Sequence, residues 1–294
     1  MSEKGILTAR AFAPAHITGF FQIHDHVEPM KKGSTGCGVV LDRGVHTTVT
    51  VSDDIERTEI YLNGEQVPGD TSRAVVGSMT DLPVKVESIS DIPIGCGFGA
   101  SGAGALGTAY ALNHALSLNY TANQLNDIAH VAEVSNGSGL GDVTGQVHGG
   151  ITVRKTPGAP SIASVDQVPS KDNDVYCVVL GELSTRSVLN DPEMVRSINN
   201  AGKEAMRKLM EKPSVNNFMF YSREFTIRSM LASEKVMEAI ETSRNIGVIA
   251  SQAMLGNAVF SIPPVDRRTE LNDIFSEFGT VLHFKIRNES TRIG

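Results

Sequence analysis

The sequence predicts an α+β chain of two compact units, and three observations lead there. Its 294 residues exceed the usual span of one domain. β-Branched segments crowd the region before residue 90, whereas helical periodicity dominates from residue 101. A run rich in Pro, Ser and Asp, "TPGAPSIASVDQVPSKDND" at 156–174, then reads as a linker to a second half with its own strands and helices.

The elements follow in order. "GVHTTVTVS" (44–52) is β-branched and extended, "TEIYLNGEQV" (58–67) holds an Asn63-Gly64 hairpin turn, and "VKVESI" (84–89) alternates at period two. A glycine-rich loop leads into a helix over 101–116. A second helix opens at "TANQL", where Thr121 and Gln124 have capping-box spacing, and its stripe is Leu125, Ile128, Ala129 and Ala132. "GGITVRK" closes the first half as a strand. Beyond the linker, "VYCVVLG" is an apolar strand, and Asp191-Pro192 signals the start of a helix over 192–210. Helical periodicity fills 214–243, followed by strands at "NIGVIAS" and "NAVFSI", a helix at "TELNDIFSEF" and a strand at "TVLHFKI". That order is a split βαβ, ferredoxin-like arrangement with extra helices in its first crossover.

Composition narrows the function. Lys plus Arg (26) against Asp plus Glu (33) gives a net charge of −7 with no basic face, so nucleic acid is not an expected partner. No stretch is long and apolar enough to span a membrane, and the N-terminus lacks the apolar segment of an export signal. Cys37, Cys96 and Cys177 are scattered without CxxC spacing, which points to reduced thiols in a cytoplasmic protein without disulfide or zinc. Cys37 and Cys96 have no identifiable His–acid relay, and His24-x-His26 lacks a third ligand, so packing and a polar loop are the readings there.

The loop "PIGCGFGASGA" (93–103) formally satisfies the GxGxxA dinucleotide fingerprint through Gly95, Gly97, Gly99 and Ala100. Its context argues against that use: the preceding strand alternates, several antiparallel-looking strands come before it, and no acid lies about 20 residues on. A P-loop is excluded because no Lys or Arg occurs between Lys85 and Arg154. A phosphate bound here must be held by backbone amides and the helix N-terminus, and a divalent cation must supply the missing charge. Close helix packing is the structural alternative for so many small residues. Glu133 falls at the edge of the second helix's apolar stripe, where a carboxylate needs a partner, and Asp142 lies in a second glycine-rich turn, "SNGSGLGDVTG".

These residues together resemble the GHMP kinase superfamily, whose phosphate loop approximates PxxxGLGSSAA. The likeness extends to "APAHITGFF" (13–21), "AEVSNGSGLGDVTGQVHGG" (132–150) and a late loop "AMLGNAVF" (253–260); with "GSTGCG" (33–38) it is most similar to the archaeal-type pantoate kinases. The resemblance implies an N-terminal α/β domain with a left-handed βαβ unit and the ATP-phosphate loop over 1–160, and a ferredoxin-like domain over 161–294. It implies an ATP- and Mg²⁺-dependent transfer to pantoate in a homodimer. Pro93, Gly95, Gly97, Phe98, Gly99, Ala100, Ser101 and Gly102 would cradle the ATP phosphates. Ser101 and Glu133 would hold the metal, Asp142 would orient or deprotonate the attacking hydroxyl, and Ser34, His130, Arg154, Thr185 and Arg186 would receive pantoate.

The sequence also departs from the superfamily. Ala100 stands where a serine is usual, Gly102 replaces an alanine, Ala15-His16 replaces a motif lysine, and the late loop shrinks to Leu255-Gly256-Asn257. Homoserine, shikimate or mevalonate are alternative acceptors, and a nicotinamide oxidoreductase or a non-catalytic nucleotide-binding module are readings of other classes.

Overall fold

The structure, a computed structural model, describes residues 5–170, 173–181, 191–289 and 291–293. Two long strands, β1 (Leu7–His24) and β2 (Gly33–Val51), form an antiparallel pair at the centre of the larger sheet. β3 (Glu59–Leu62) and β4 (Glu65–Gln66) make the hairpin expected at Asn63-Gly64, where Asn63 takes the left-handed conformation that such a turn requires. Helix α1 (Asp70–Met79) then crosses over to β5 (Lys85–Ser90), which pairs parallel with β3 and antiparallel with β2.

Helices α2 (Ala100–Leu116) and α3 (Ala122–Asn136) lie where expected, and the α3 capping box is present: Thr121 Oγ1 accepts from the Gln124 amide while Gln124 Oε1 accepts from the Thr121 amide. Asp142 opens a short helix, α4 (Asp142–Gln146), before β6 (Ile151–Arg154) returns to the sheet.

Three elements escape the sequence pattern, each for a physical reason. β1 carries Pro14 and Gly19 and is covered on both faces, by α2 on one side and by later helices on the other, so it has no period-two alternation to read. Pro14 sits at a register irregularity, where a missing ladder donor is tolerated. α1 is short and interrupted by Gly77, and its buried stripe is only Val75, Val76 and Met79. The run read as a linker contains β7 (Val165–Val168), which pairs with β6 and extends the first sheet.

The second sheet is formed by β8 (Asp174–Gly181), β9 (Ala250–Gln252), β10 (Asn257–Ser261) and β11 (Val281–Lys285), all antiparallel, in the spatial order β11-β8-β10-β9. By rank along the chain that order is fourth, first, third, second, as a split βαβ requires. The first crossover carries α5 (Pro192–Glu211), capped by Asp191, with α6 (Val215–Ser229) and α7 (Glu234–Asn245); the second carries α8 (Arg268–Phe278).

A single apolar core runs from α2 through β1 to α5 and α6, and a satellite core of Val236, Ile240, Leu271 and Phe275 lies beneath the second sheet. The chain returns to the first sheet after β11: Arg287 N donates to Val40 O at 2.9 Å, and β12 (Arg292–Ile293) pairs with β1. No helix among the described residues is long and apolar enough to cross a membrane.

Candidate active site

The site begins with the loop before α2. Gly95, Gly97 and Gly99 all have positive φ (72°, 86° and 67°), a conformation that residues with side chains rarely adopt. Gly99 is the N-cap of α2 and no side chain caps the helix there, so its first amides face the cleft without an intrahelical acceptor. The loop is fixed from behind: Gln146 Nε2 donates to Gly99 O at 2.8 Å, and His16 N donates to Phe98 O at 3.1 Å. The shortened late loop also contributes. A Cβ on Gly256 would sit 2.0 Å from Cys96 O, so its backbone lies directly against the glycine loop, and Leu255 lines the cleft.

The cleft has a volume of about 360 Å³. Its lining combines apolar Ile60, Leu62 and Val67, the glycine loop, and polar Ser101, Glu133 and Asp142. No lysine or arginine lines it among the described residues. Three lining hydroxyls cluster: Ser101 Oγ donates to Thr71 Oγ1 at 3.3 Å, and Thr71 Oγ1 lies 3.1 Å from Ser138 Oγ.

Glu133 is fully buried at the C-terminal part of α3. Neither carboxylate oxygen completes a hydrogen bond among the described residues. Burial, then the nearby Asp142 carboxylate, push its pKa well above the usual range, opposed by the Val143 amide and Arg154. The glycines around it are required by space. A Cβ on Gly139 would approach Glu133 Oε1 to 2.5 Å, and one on Gly102 would approach Oε1 to 3.0 Å and Gln146 Oε1 to 2.8 Å. Gly102, the departure from alanine in the loop, thus makes room for Glu133.

An orphaned buried carboxylate beside a cleft-lining hydroxyl is a donor set suited to Mg²⁺, which takes oxygen ligands and is usually held by one or two carboxylates plus substrate phosphates. No cluster of three or more His, Cys, Asp or Glu that could hold a metal ion occurs among the described residues. The protein alone therefore offers a partial shell that phosphate oxygens would complete.

Asp142 lines the cleft with its side chain 26% exposed, and its Oδ1 lies 2.7 Å from Nδ1 of the buried His16. Behind it, Ser34 and Arg154 close on the same backbone: a Cβ on Gly141 would meet Ser34 Oγ at 2.2 Å and Arg154 Nε at 2.9 Å. Arg154 is 1% exposed, with Nη1 3.3 Å from His16 Nε2 and Nη2 donating to Thr18 Oγ1 at 3.4 Å; its Nε has no hydrogen-bond partner among the described residues. His130 is buried on α3, with Nε2 2.9 Å from Lys32 O and Nδ1 unpartnered. Burial pushes the pKa of both His16 and His130 down.

The expected residues thus separate into groups. Gly95, Gly97, Phe98, Gly99, Ala100, Ser101, Glu133 and Asp142 line one cleft, with Gly102 directly beneath Glu133. Ser34 and Arg154 lie behind Asp142 rather than in the cleft wall, and His130 faces the 29–32 loop. Pro93 stands outside the lining, and Thr185 and Arg186 lie outside the described residues. Thr71, Ser138 and Gln146 were not anticipated; "GSGLGDVTGQ" contained two of them, but nothing local marks a hydroxyl or amide as cleft-facing. Cys37, Cys96 and Cys177 are buried thiols.

Comparison with known proteins agrees with this architecture. Residues 71–150 match the GHMP kinases N terminal domain. The chain is 35% identical to a pantoate kinase from Thermococcus kodakarensis, over 91% of this chain and 92% of that protein. It is 34% identical to a pantoate kinase from Methanocaldococcus jannaschii, over 90% and 95% of the two. A solved phosphotransferase related to the CoA biosynthesis pathway superposes with a TM-score of 0.89 at 32% identity, covering 98% of each chain. The chain belongs to the GHMP kinase family and, within it, to the pantoate kinases.

Proposed function

We propose that this enzyme transfers the γ-phosphoryl group of ATP to (R)-pantoate, forming 4-phosphopantoate for coenzyme A biosynthesis. One observation carries the reading: a lysine-free glycine cradle at an uncapped helix N-terminus opens onto a cleft that also receives the part-exposed Asp142 and the buried Glu133, whose carboxylate oxygens complete no hydrogen bond among the described residues. Phosphoryl transfer depends mainly on positioning and on neutralising phosphate charge, and this cleft is built for both.

The apolar lining residues Ile60, Leu62 and Val67 suit a nucleobase, and the amides at the start of α2 suit the phosphates. Ser101 and Glu133 would hold Mg²⁺, which when bound supplies the positive charge that the loop lacks. Asp142 takes the proton from the acceptor hydroxyl as its oxygen bonds to the γ-phosphorus and the bond to the ADP oxygen breaks. Family likeness assigns Ser34, His130, Arg154, Thr185 and Arg186 to the pantoate pocket, and of these Ser34 and Arg154 adjoin Gly141, next to Asp142. Buried thiols and the absence of a basic face support a cytoplasmic enzyme. A homodimer is the expected assembly, and light scattering would give twice the chain mass.

The deciding experiment is ADP release over a panel of pantoate, homoserine, shikimate and mevalonate. Pantoate should give the highest kcat/KM. A panel led by another acceptor, or tight NADH binding without ATP binding, would overturn the reading.

A further inference from the structure

His16 lies midway along β1, where the register against β2 slips between Pro14 and His16, an irregularity of the kind that re-aims a side chain. Its ring is clasped from both sides: a Cβ on Gly38 of β2 would come within 2.3 Å of Nε2, and one on Gly145 of α4 within 2.5 Å. The ring is fully buried and touches two charged groups, Asp142 at Nδ1 (2.7 Å) and Arg154 at Nε2 (3.3 Å). Glu133 and Cys37 act electrostatically on Arg154 as well.

The tautomer follows from donor chemistry. A guanidinium can only donate, so Nε2 accepts from Arg154 Nη1–H, and the single proton of a neutral ring must sit on Nδ1, from which it donates to Asp142 Oδ1. Burial favours the neutral ring. The histidine is thus a rigid spacer between a fixed cation and a carboxylate at the first position of a helix only five residues long. Nothing else described bonds the Asp142 side chain at comparable distance.

We propose that His16 is the positioning residue of the transfer site: a neutral Nδ1–H imidazole, its tautomer set by Arg154, that holds Oδ1 of Asp142 and so leaves Oδ2 for the acceptor hydroxyl. It orients the carboxylate by a directional bond rather than by an added charge. The inference rests on Asp142 being the base.

Three substitutions separate orientation from packing. His16→Leu fills the slot without a donor, His16→Asn keeps an N–H near the Nδ1 position, and His16→Gln reaches only the Nε2 position. The expected result is a fall in kcat of about 100-fold for His16→Leu, the scale of a misplaced reacting group. ATP affinity should change little, while the melting temperature falls because leucine leaves the buried Arg154 Nη1 without its acceptor. His16→Asn should recover to within about tenfold of native, and His16→Gln should not. Combined with Asp142→Asn, His16→Leu should add no further loss.

A kcat for His16→Leu close to native, or equal kcat for the Asn and Gln variants, would overturn the proposal. So would ring ¹⁵N shifts of the native protein that place the His16 proton on Nε2, a measurement independent of how any variant folds. Asp142→Asn keeps the two readings apart. Full turnover in that variant removes the base assignment itself, whereas an inactive Asp142→Asn with an active His16→Leu removes only the role of His16.

Discussion

The two walls of the cleft solve opposite electrostatic problems. The glycine-loop wall carries no charged side chain and presents bare backbone at the start of α2. The α3–α4 wall presents Glu133 and Asp142, and behind it His16 and Arg154 are buried almost completely from water. A wall of amides binds anionic phosphate without a desolvated cation, because the donors are already part of the helix. A wall of buried charges is costly in isolation and is tolerable only if its members are paired or if substrate completes them. The proposed mechanism assigns binding mainly to the first wall and chemistry to the second, and substitutions can test that division.

The largest effect is expected at Asp142. Asp142→Asn keeps the shape and the N-terminal position in α4 but removes the base, and kcat should fall by about 10²–10⁴-fold with ATP affinity nearly unchanged. A parallel loss of ATP affinity, read by calorimetry, would erase the contrast between the walls.

Glu133→Gln comes next. Half-saturation for Mg²⁺ should rise by at least ~10-fold, the scale on which even outer partners of a metal ligand matter; an unchanged Mg²⁺ titration would remove Glu133 from the shell. The same variant should melt higher than native in chelator at alkaline pH. In the native apo fold the raised Glu133 carboxyl retains its proton at a pH where the unfolded chain, near 4.5, has released it, so stability falls as pH rises from 4.5 toward the folded-state value. Glutamine does not titrate and should flatten that part of the profile.

On the first wall, Gly256→Ala brings a methyl group against Cys96 O, a backbone atom that cannot rotate away. Overpacking of this kind costs about 1–3 kcal/mol. Because the strain falls on the glycine loop, KM for ATP should rise while KM for pantoate stays near native. A change confined to pantoate would place the late loop on the wrong side of the cleft.

The smallest effect is a control away from both walls. Thr121→Ala removes the α3 cap and should cost about 1 kcal/mol of stability in denaturant titration, with kcat unchanged. An altered kcat would mean that α3 positions Glu133 through its N-terminus as well as through its packing.

How much of this was legible beforehand depends on the range over which each signal acts. The glycine loop, α2, the α3 capping box and the inward position of Glu133 are encoded within a few turns of chain, and the structure has each of them where the pattern indicates. The ferredoxin-like order of the second half was legible for the same reason, since its strands and helices alternate with clear periods. β1 was not, because a strand buried on both faces loses the alternation by which strands are recognised. The late loop is reduced to Leu255-Gly256-Asn257 in the sequence, and only the approach of Gly256 to Cys96 O shows that it packs against the glycine loop.

By itself the sequence determined the chemical inventory: a lysine-free phosphate cradle, two acids nine positions apart and no basic face. Tertiary structure decided which groups meet. His16 reaches Asp142 across 126 residues and Arg154 across 138, and Thr71 reaches Ser138 across 67. Periodicity and capping act between neighbours in the chain, whereas a hydrogen bond depends on angstroms in space, and those were set when β1, β2, β6 and α4 packed against one another.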